Sequence, residues 1–63
     1  MIAIPKNARE EIRVSVDDYR GIPLANIRVW YLEGDEYRPG KQGIALRREL
    51  VPQLIDALRA VQP

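Results

Sequence analysis

The sequence predicts an α+β domain, a four-stranded antiparallel meander followed by one C-terminal amphipathic helix, assembled as a dimer. Three observations predict it. Apolar and polar residues alternate along residues 12–16, and β-branched and aromatic residues crowd residues 24–32, both marks of strands. From Arg48 the apolar period changes to helical spacing, with Leu50, Leu54, Leu58 and Val61 on one stripe. Finally, 63 residues without a cysteine or histidine leave a thin core with no disulfide or thiolate–imidazole metal staple, so a partner subunit is the staple that remains.

The elements follow in order within one domain spanning 1–63. Residues 1–10 carry Pro5, Asn7 and the mixed charges Arg9-Glu10-Glu11, and read as an arm that orders on contact. Residues 11–46 form the sheet. Ile12, Val14 and Val16 alternate with Arg13, Ser15 and Asp17 in the first strand, and Asp17 to Gly21 reads as a turn. The second strand, residues 24–32, closes through Glu33-Gly34-Asp35-Glu36. Tyr37-Arg38 makes a short third strand, ended by Pro39-Gly40 at the centre of a type II turn. Residues 41–46 are the fourth strand, with Gly43 at a bulge. Residues 47–62 form the helix, with Pro52 in its first turn where proline is tolerated.

Composition argues against catalysis. Without His or Cys, a triad, a metal-bound water or a zinc site lacks its usual parts. The carboxylate pairs Glu10-Glu11, Asp17-Asp18 and Asp35-Glu36 lie beside turns and termini, where solvation keeps them ordinary. No phosphate-binding or dinucleotide fingerprint occurs among the scattered glycines. The expectation is no enzyme, no cofactor, no metal and no small-molecule substrate. The start is broken early by Pro5 and no apolar run reaches the ~20 residues that span a bilayer, so the protein is expected inside the cell and off the membrane.

Binding has better material. Tyr19-Arg20, Arg28-Val29-Trp30-Tyr31 and Tyr37-Arg38 interleave rings with guanidinium groups over three segments. Rings on a sheet offer a sequence-tolerant platform for bases, and arginines neutralise phosphates. The same rings would equally serve as packing beneath the helix. A net charge of +1 gives no help, so any nucleic-acid surface depends on where the charges sit.

At these residues the sequence resembles the transcriptional coactivator family named after positive cofactor four. The resemblance rests on IRVSVDDYRG (12–21), NIRVWY (26–31) and YRPGKQGIAL (37–46), continued by LVPQLIDAL (50–58). It implies a homodimer joined through its helices, with Leu54, Leu58 and Val61 at the interface. It also implies grooves for single-stranded DNA along the sheet, bound without sequence preference, and the transcription machinery as a further partner. With the matching region beginning so near Met1, the chain resembles the short prokaryotic or phage type.

Carried over by position, Tyr19 takes the stacking aromatic of the first turn and Arg20 the basic residue beside it. Arg28 takes the strand arginine, and Tyr31 the aromatic three residues later. Arg38 and Lys41 take the basic residues on either side of Pro39-Gly40. Ile22 and Gln42 stand where relatives carry basic residues, Ala45 where Ser or Thr is common, and Val29 where an acid is common. Fewer cations imply a flatter salt dependence. Plain alternation places Arg28 and Trp30 on one face and Tyr31 on the other, so both rings are site candidates; a bulge between Arg28 and Tyr31 would bring Tyr31 round. The runner-up function, favoured by the near-neutral charge, is an adaptor that uses the same fold to bind a polymerase or another protein.

Overall fold

The computed structural model describes all 63 residues. Four strands, β1 (Ile2–Asn7), β2 (Glu10–Tyr19), β3 (Ile22–Glu33) and β4 (Glu36–Arg47), pair antiparallel in the order β1-β2-β3-β4. A single 3₁₀ turn (Arg48–Leu50) leads into α1 (Val51–Ala60), with Pro52 in the first turn as expected. The meander and terminal helix are those of the expected α+β class, but the strands are partitioned differently.

Residues 1–10 are not an arm. Ile2, Ala3, Ile4 and Pro5 pair with Val14, Arg13, Ile12 and Glu11, making β1 an edge strand. Pro5 is tolerated there because an edge strand can leave one side of its backbone unpaired. The expected third and fourth strands are one strand, β4. Pro39-Gly40 does not turn the chain; it enters a bulge. Arg28 pairs with Gly43 and Trp30 with Pro39, so Gly40, Lys41 and Gln42 together stand opposite Val29. The bulge expected between Arg28 and Tyr31 therefore lies in β4, and Gly43, expected at a bulge, is the paired residue just after it. β3 runs against β2 without a break from Tyr19↔Ile22 to Glu10↔Tyr31.

Gly43 is needed for close approach. A Cβ there would meet the Ile27 carbonyl oxygen at 2.5 Å and Arg28 Cα at 2.9 Å. The turn between β2 and β3 is tighter than the expected Asp17–Gly21 span and uses only Arg20 and Gly21. Both have positive φ, 53° and 82°, as a type I′ hairpin requires. An arginine in this left-handed region costs roughly 1–2 kcal/mol, a strain that Gly21 avoids.

The unbroken β2–β3 register fixes two faces. One carries Ile2, Ile4, Ile12, Val14, Val16, Ala25, Ile27, Val29, Ile44 and Leu46, and is called here the aliphatic face. The other carries Glu11, Arg13, Asn26, Arg28, Trp30 and Tyr37, and is called the arginine face. The helix does not cover the aliphatic face. Its first turn leaves a gap of about 490 Å³ between Val51-Pro52 and Ile2, Val14, Val16 and Ala25. Val51 and Leu54 are half-buried, whereas Leu58 is 57% exposed. The helix ends at Ala60, one residue short of Val61.

No residue of the chain is buried. Its accessible surface is 5255 Å² for 7.2 kDa, against about 4,100 Å² for a compact monomer of that mass. The Cα radius of gyration is 13.1 Å, where a compact chain of this length would have about 10.6 Å. The chain is a flat slab with extents 38 × 37 × 17 Å. No helix is long and apolar enough to cross a membrane.

Candidate nucleic-acid interface

The residues expected to contact nucleic acid fall at two ends of the sheet. Tyr19 and Arg20 sit at the tip of the β2–β3 hairpin. Tyr31, Trp30, Arg28, Arg38 and Lys41 gather around the β4 bulge. Tyr31 pairs with Glu10, nine residues along β2 from Tyr19, so the two tyrosines are about 30 Å apart along the strand.

At the hairpin tip, the Tyr19 ring is 58% exposed. The Arg20 guanidinium carbon lies 5.4 Å from its centroid. Asp18 Oδ1 accepts a hydrogen bond from the Gly21 amide at 2.7 Å and holds the turn. The left-handed backbone of Arg20 thus places a cation and a ring side by side at the end of the molecule.

At the bulge, Trp30 and Tyr31 point to opposite faces. On the arginine face the Arg13 guanidinium lies over Trp30, 4.0 Å from the ring centroid, and 5.5 Å from that of Tyr37. Glu11 anchors it through a 2.6 Å ion pair to Arg13 Nε. Trp30 is half-buried in this stack, which occupies one side of its ring. Tyr37 and Glu11 are visible in the sequence, but their meeting with Arg13 at Trp30 is not, because it depends on strand register, which is not written in local periodicity.

Arg28, on the same face, donates from Nη1 to the carbonyl oxygens of Gly40 at 3.1 Å and Lys41 at 3.4 Å. Its charge is directed into the bulge and fixes the backbone from Gly40 to Lys41.

On the aliphatic face Tyr31 is 40% exposed and sits between Glu10 on β2 and Arg38 on β4. A groove of about 410 Å³ opens beside it, lined by Glu10, Val29, Tyr31, Pro39, Gly40, Lys41 and Gln42. Here the bulge widens the β3–β4 edge, and Val29 supplies an apolar floor. Arg38 is flanked by Glu33 and Glu36, each at 3.5 Å and each largely exposed. Such pairs contribute little and exchange readily for another anion. Lys41 makes no ion pair or side-chain hydrogen bond. Glu10 accepts hydrogen bonds at Oε1 from Asn7 Nδ2 at 2.8 Å and Lys6 Nζ at 3.0 Å. These bonds, Asn7 first, hold its carboxyl below the usual carboxylate range.

The arrangement offers an exposed ring, an apolar floor and exposed cations. It holds no cluster of three or more carboxylates for a metal ion.

Comparison with known proteins agrees with this geometry. Residues 6–57 match the family model described as transcriptional coactivator p15 (PC4). No curated protein matches the chain by sequence. Among solved structures, BPSL1147, a PC4 homolog from Burkholderia pseudomallei K96243, superposes with a TM-score of 0.91 in its orthorhombic crystal form. The identity is 33%, over 95% of this chain and 82% of that one. Its tetragonal form gives 0.90 at the same identity, over 95% and 90%. The bacteriophage T5 homolog of the eukaryotic coactivator PC4, implicated in recombination-dependent DNA replication, gives 0.78 at 30% identity, over 95% of this chain and 72% of that one. With the family model spanning most of the sheet and helix, and two homologs at or above 30% identity sharing the whole architecture, the chain belongs to the transcriptional coactivator p15 (PC4) family.

Proposed function

We propose that the protein is a homodimeric, sequence-tolerant single-stranded DNA binder acting in transcription or DNA maintenance. The observation that carries this reading is the exposed Tyr31 ring beside a groove whose cation, Lys41, has no acidic partner. A ring open to solvent on a sheet offers a π-face to any base. Lys41 and Arg38 border the path of the phosphates; Tyr19, which the register puts on the opposite face, forms with Arg20 a separate contact at the hairpin tip about 30 Å along the strand. Trp30 serves packing against Arg13, and Arg28 acts as a positioning residue that keeps the bulge open. The phage homolog implicated in recombination-dependent replication supports a role on exposed single strands.

Dimerisation is supported by the uncovered apolar surface. The protomer exposes roughly 1,100 Å² more than a compact chain of its size would, an excess comparable to the ~800 Å² per partner of a stable interface. Leu54, Leu58 and Val61, with Val16 and Ile44 of the aliphatic face, are the residues we assign to it.

The adaptor reading draws on the pairing of Lys6, Arg13, Arg38 and Arg47 with acids within the chain. Fluorescence anisotropy with a labelled single strand of about twenty nucleotides, alongside sedimentation of the free protein, decides between them. Salt-sensitive binding by a dimer is expected. A dimer indifferent to the oligonucleotide at low salt would move the adaptor reading to the front.

A further inference from the structure

Tyr31 stands between two grooves. Beyond the one at the bulge, a second of about 540 Å³ is lined by Asn7, Ala8, Arg9, Glu10, Tyr31 and Leu32. Glu10 and Tyr31 border both grooves, and they are cross-strand neighbours on one face. A carboxylate is an unexpected neighbour for a ring that meets a polyanion. Its local charge is balanced by Lys6, 3.0 Å away. Lys6 and Asn7 both engage Oε1 and leave Oε2 without a protein partner. An ionised carboxylate only accepts hydrogen bonds, so Oε2 is complementary to a donor. On a base stacked against an aromatic ring, the groups within reach of a neighbouring side chain are those of its Watson–Crick and Hoogsteen edges.

Resting on the single-strand reading above, we propose that Glu10 Oε2 reads the base stacked on Tyr31. It accepts a hydrogen bond from an exocyclic amino group, so this subsite takes cytosine, adenine or guanine in preference to thymine. Cytosine offers its N4 amino group at the corner of the edge, as carboxylate side chains use it elsewhere. Thymine's only donor, N3–H, lies between two carbonyl oxygens whose lone pairs face the carboxylate. Binding stays tolerant of sequence, with a bias in composition set at one position per protomer.

The test compares the wild-type dimer on oligo-dC and oligo-dT of equal length, at mildly alkaline pH where cytosine is unprotonated. Both are pyrimidines of similar stacking area, which isolates the edge. The wild type should hold oligo-dC roughly tenfold more tightly than oligo-dT. Glu10→Gln, whose amide both donates and accepts, should lose most of that ratio, as should Glu10→Ala, with thermal midpoints recorded for both. Equal affinities in the wild type, or a thymine preference, overturn the inference whatever the variants do. A cytosine preference that survives in folded Glu10→Gln overturns it as well. Failure to bind either homopolymer overturns this inference together with the single-strand reading, whereas tight and equal binding removes this inference alone.

Discussion

The bulge end and the helix end of the molecule share the same four strands and differ in what they leave exposed. At the bulge end, long side chains satisfy one another within the protomer. Arg13 is stacked on Trp30 and paired with Glu11, Arg28 is bonded to bulge carbonyls, and Lys6 and Asn7 hold Glu10. What remains open there is the Tyr31 ring, the grooves on either side of it and the unpaired Lys41. At the helix end the polar groups Asp17, Asn26 and Asp18 are paired, but the apolar side chains are left uncovered. Val16, Ile44, Ile55, Leu58 and Val61 are all exposed, and the gap under the helix is lined by aliphatic residues. Exposed polar-rimmed rings suit transient contact with a ligand, whereas a continuous aliphatic surface of this extent suits permanent burial. The bulge end therefore has the character of a ligand site, whereas the helix end, the Tyr19–Arg20 hairpin tip apart, has that of an uncovered core.

The sharpest break of this contrast is Leu58→Asp. If the helix end is half of a core, a charge there should abolish the cooperative thermal transition, because so thin a chain has little stability to spare. A folded Leu58→Asp monomer by sedimentation and circular dichroism would show that the helix end stands alone.

Next in size is the pair of adjacent rings. Trp30→Ala should cost about 3–5 kcal/mol of stability, since it empties the Arg13–Tyr37 stack. Tyr31→Ala should leave the thermal midpoint nearly unchanged and weaken oligonucleotide binding by ~1–3 kcal/mol. The reverse assignment of the two losses would place the site on the arginine face.

Gly43→Ala probes how the bulge is kept. A methyl group directed at the Ile27 carbonyl is an overpacking change expected to cost about 1–3 kcal/mol. It should weaken oligonucleotide binding in the surviving fold, as read by denaturant titration and anisotropy on one sample.

Among the cations, Lys41→Ala should make the slope of log K against log salt shallower by roughly 0.7, the value for one lost contact on a single strand. Arg38→Ala should change it less, because Glu33 and Glu36 already compete for that guanidinium. Equal changes would mean that those carboxylates release Arg38 completely on binding.

The smallest effect concerns acid. Because Asn7 and Lys6 lower the Glu10 carboxyl in the folded chain, its stabilising contribution is full above the ordinary value of 4.5. It is lost as pH falls through the lower folded value. Stability should decline across that acid range, and Glu10→Gln should flatten this part of the profile in thermal melts taken at successive pH values.

Much of the fold is legible in local pattern. The alternation at Ile12, Val14 and Val16 and the stripe at Leu50, Leu54 and Leu58 report periods of two and of about 3.6, and those periods dictate a strand and a helix. Gly34 between two charged residues marks its hairpin, and its φ of 63° is one that glycine alone adopts freely. The misread elements are those whose local chemistry points one way and whose neighbours point another. Ile2 to Asn7 has a proline and weak alternation; it is a strand because β2 offers it a partner. Pro39-Gly40 carries turn chemistry, yet β3 pairs on both sides of it, so the chain bulges and continues.

The candidate site divides along the same line. The sequence by itself determined that the chain has no cysteine or histidine chemistry, that rings and arginines alternate through its middle, and that an amphipathic helix follows. Each of these is a property of residue identity and spacing. Only the tertiary structure decided that Trp30 lies under Arg13 while Tyr31 faces a groove, that Arg28 serves the bulge, and that Glu10 stands beside the exposed ring. The physical reason is that pairing register is set by the partner strands rather than by local periodicity, and one step of register exchanges every side chain between the two faces.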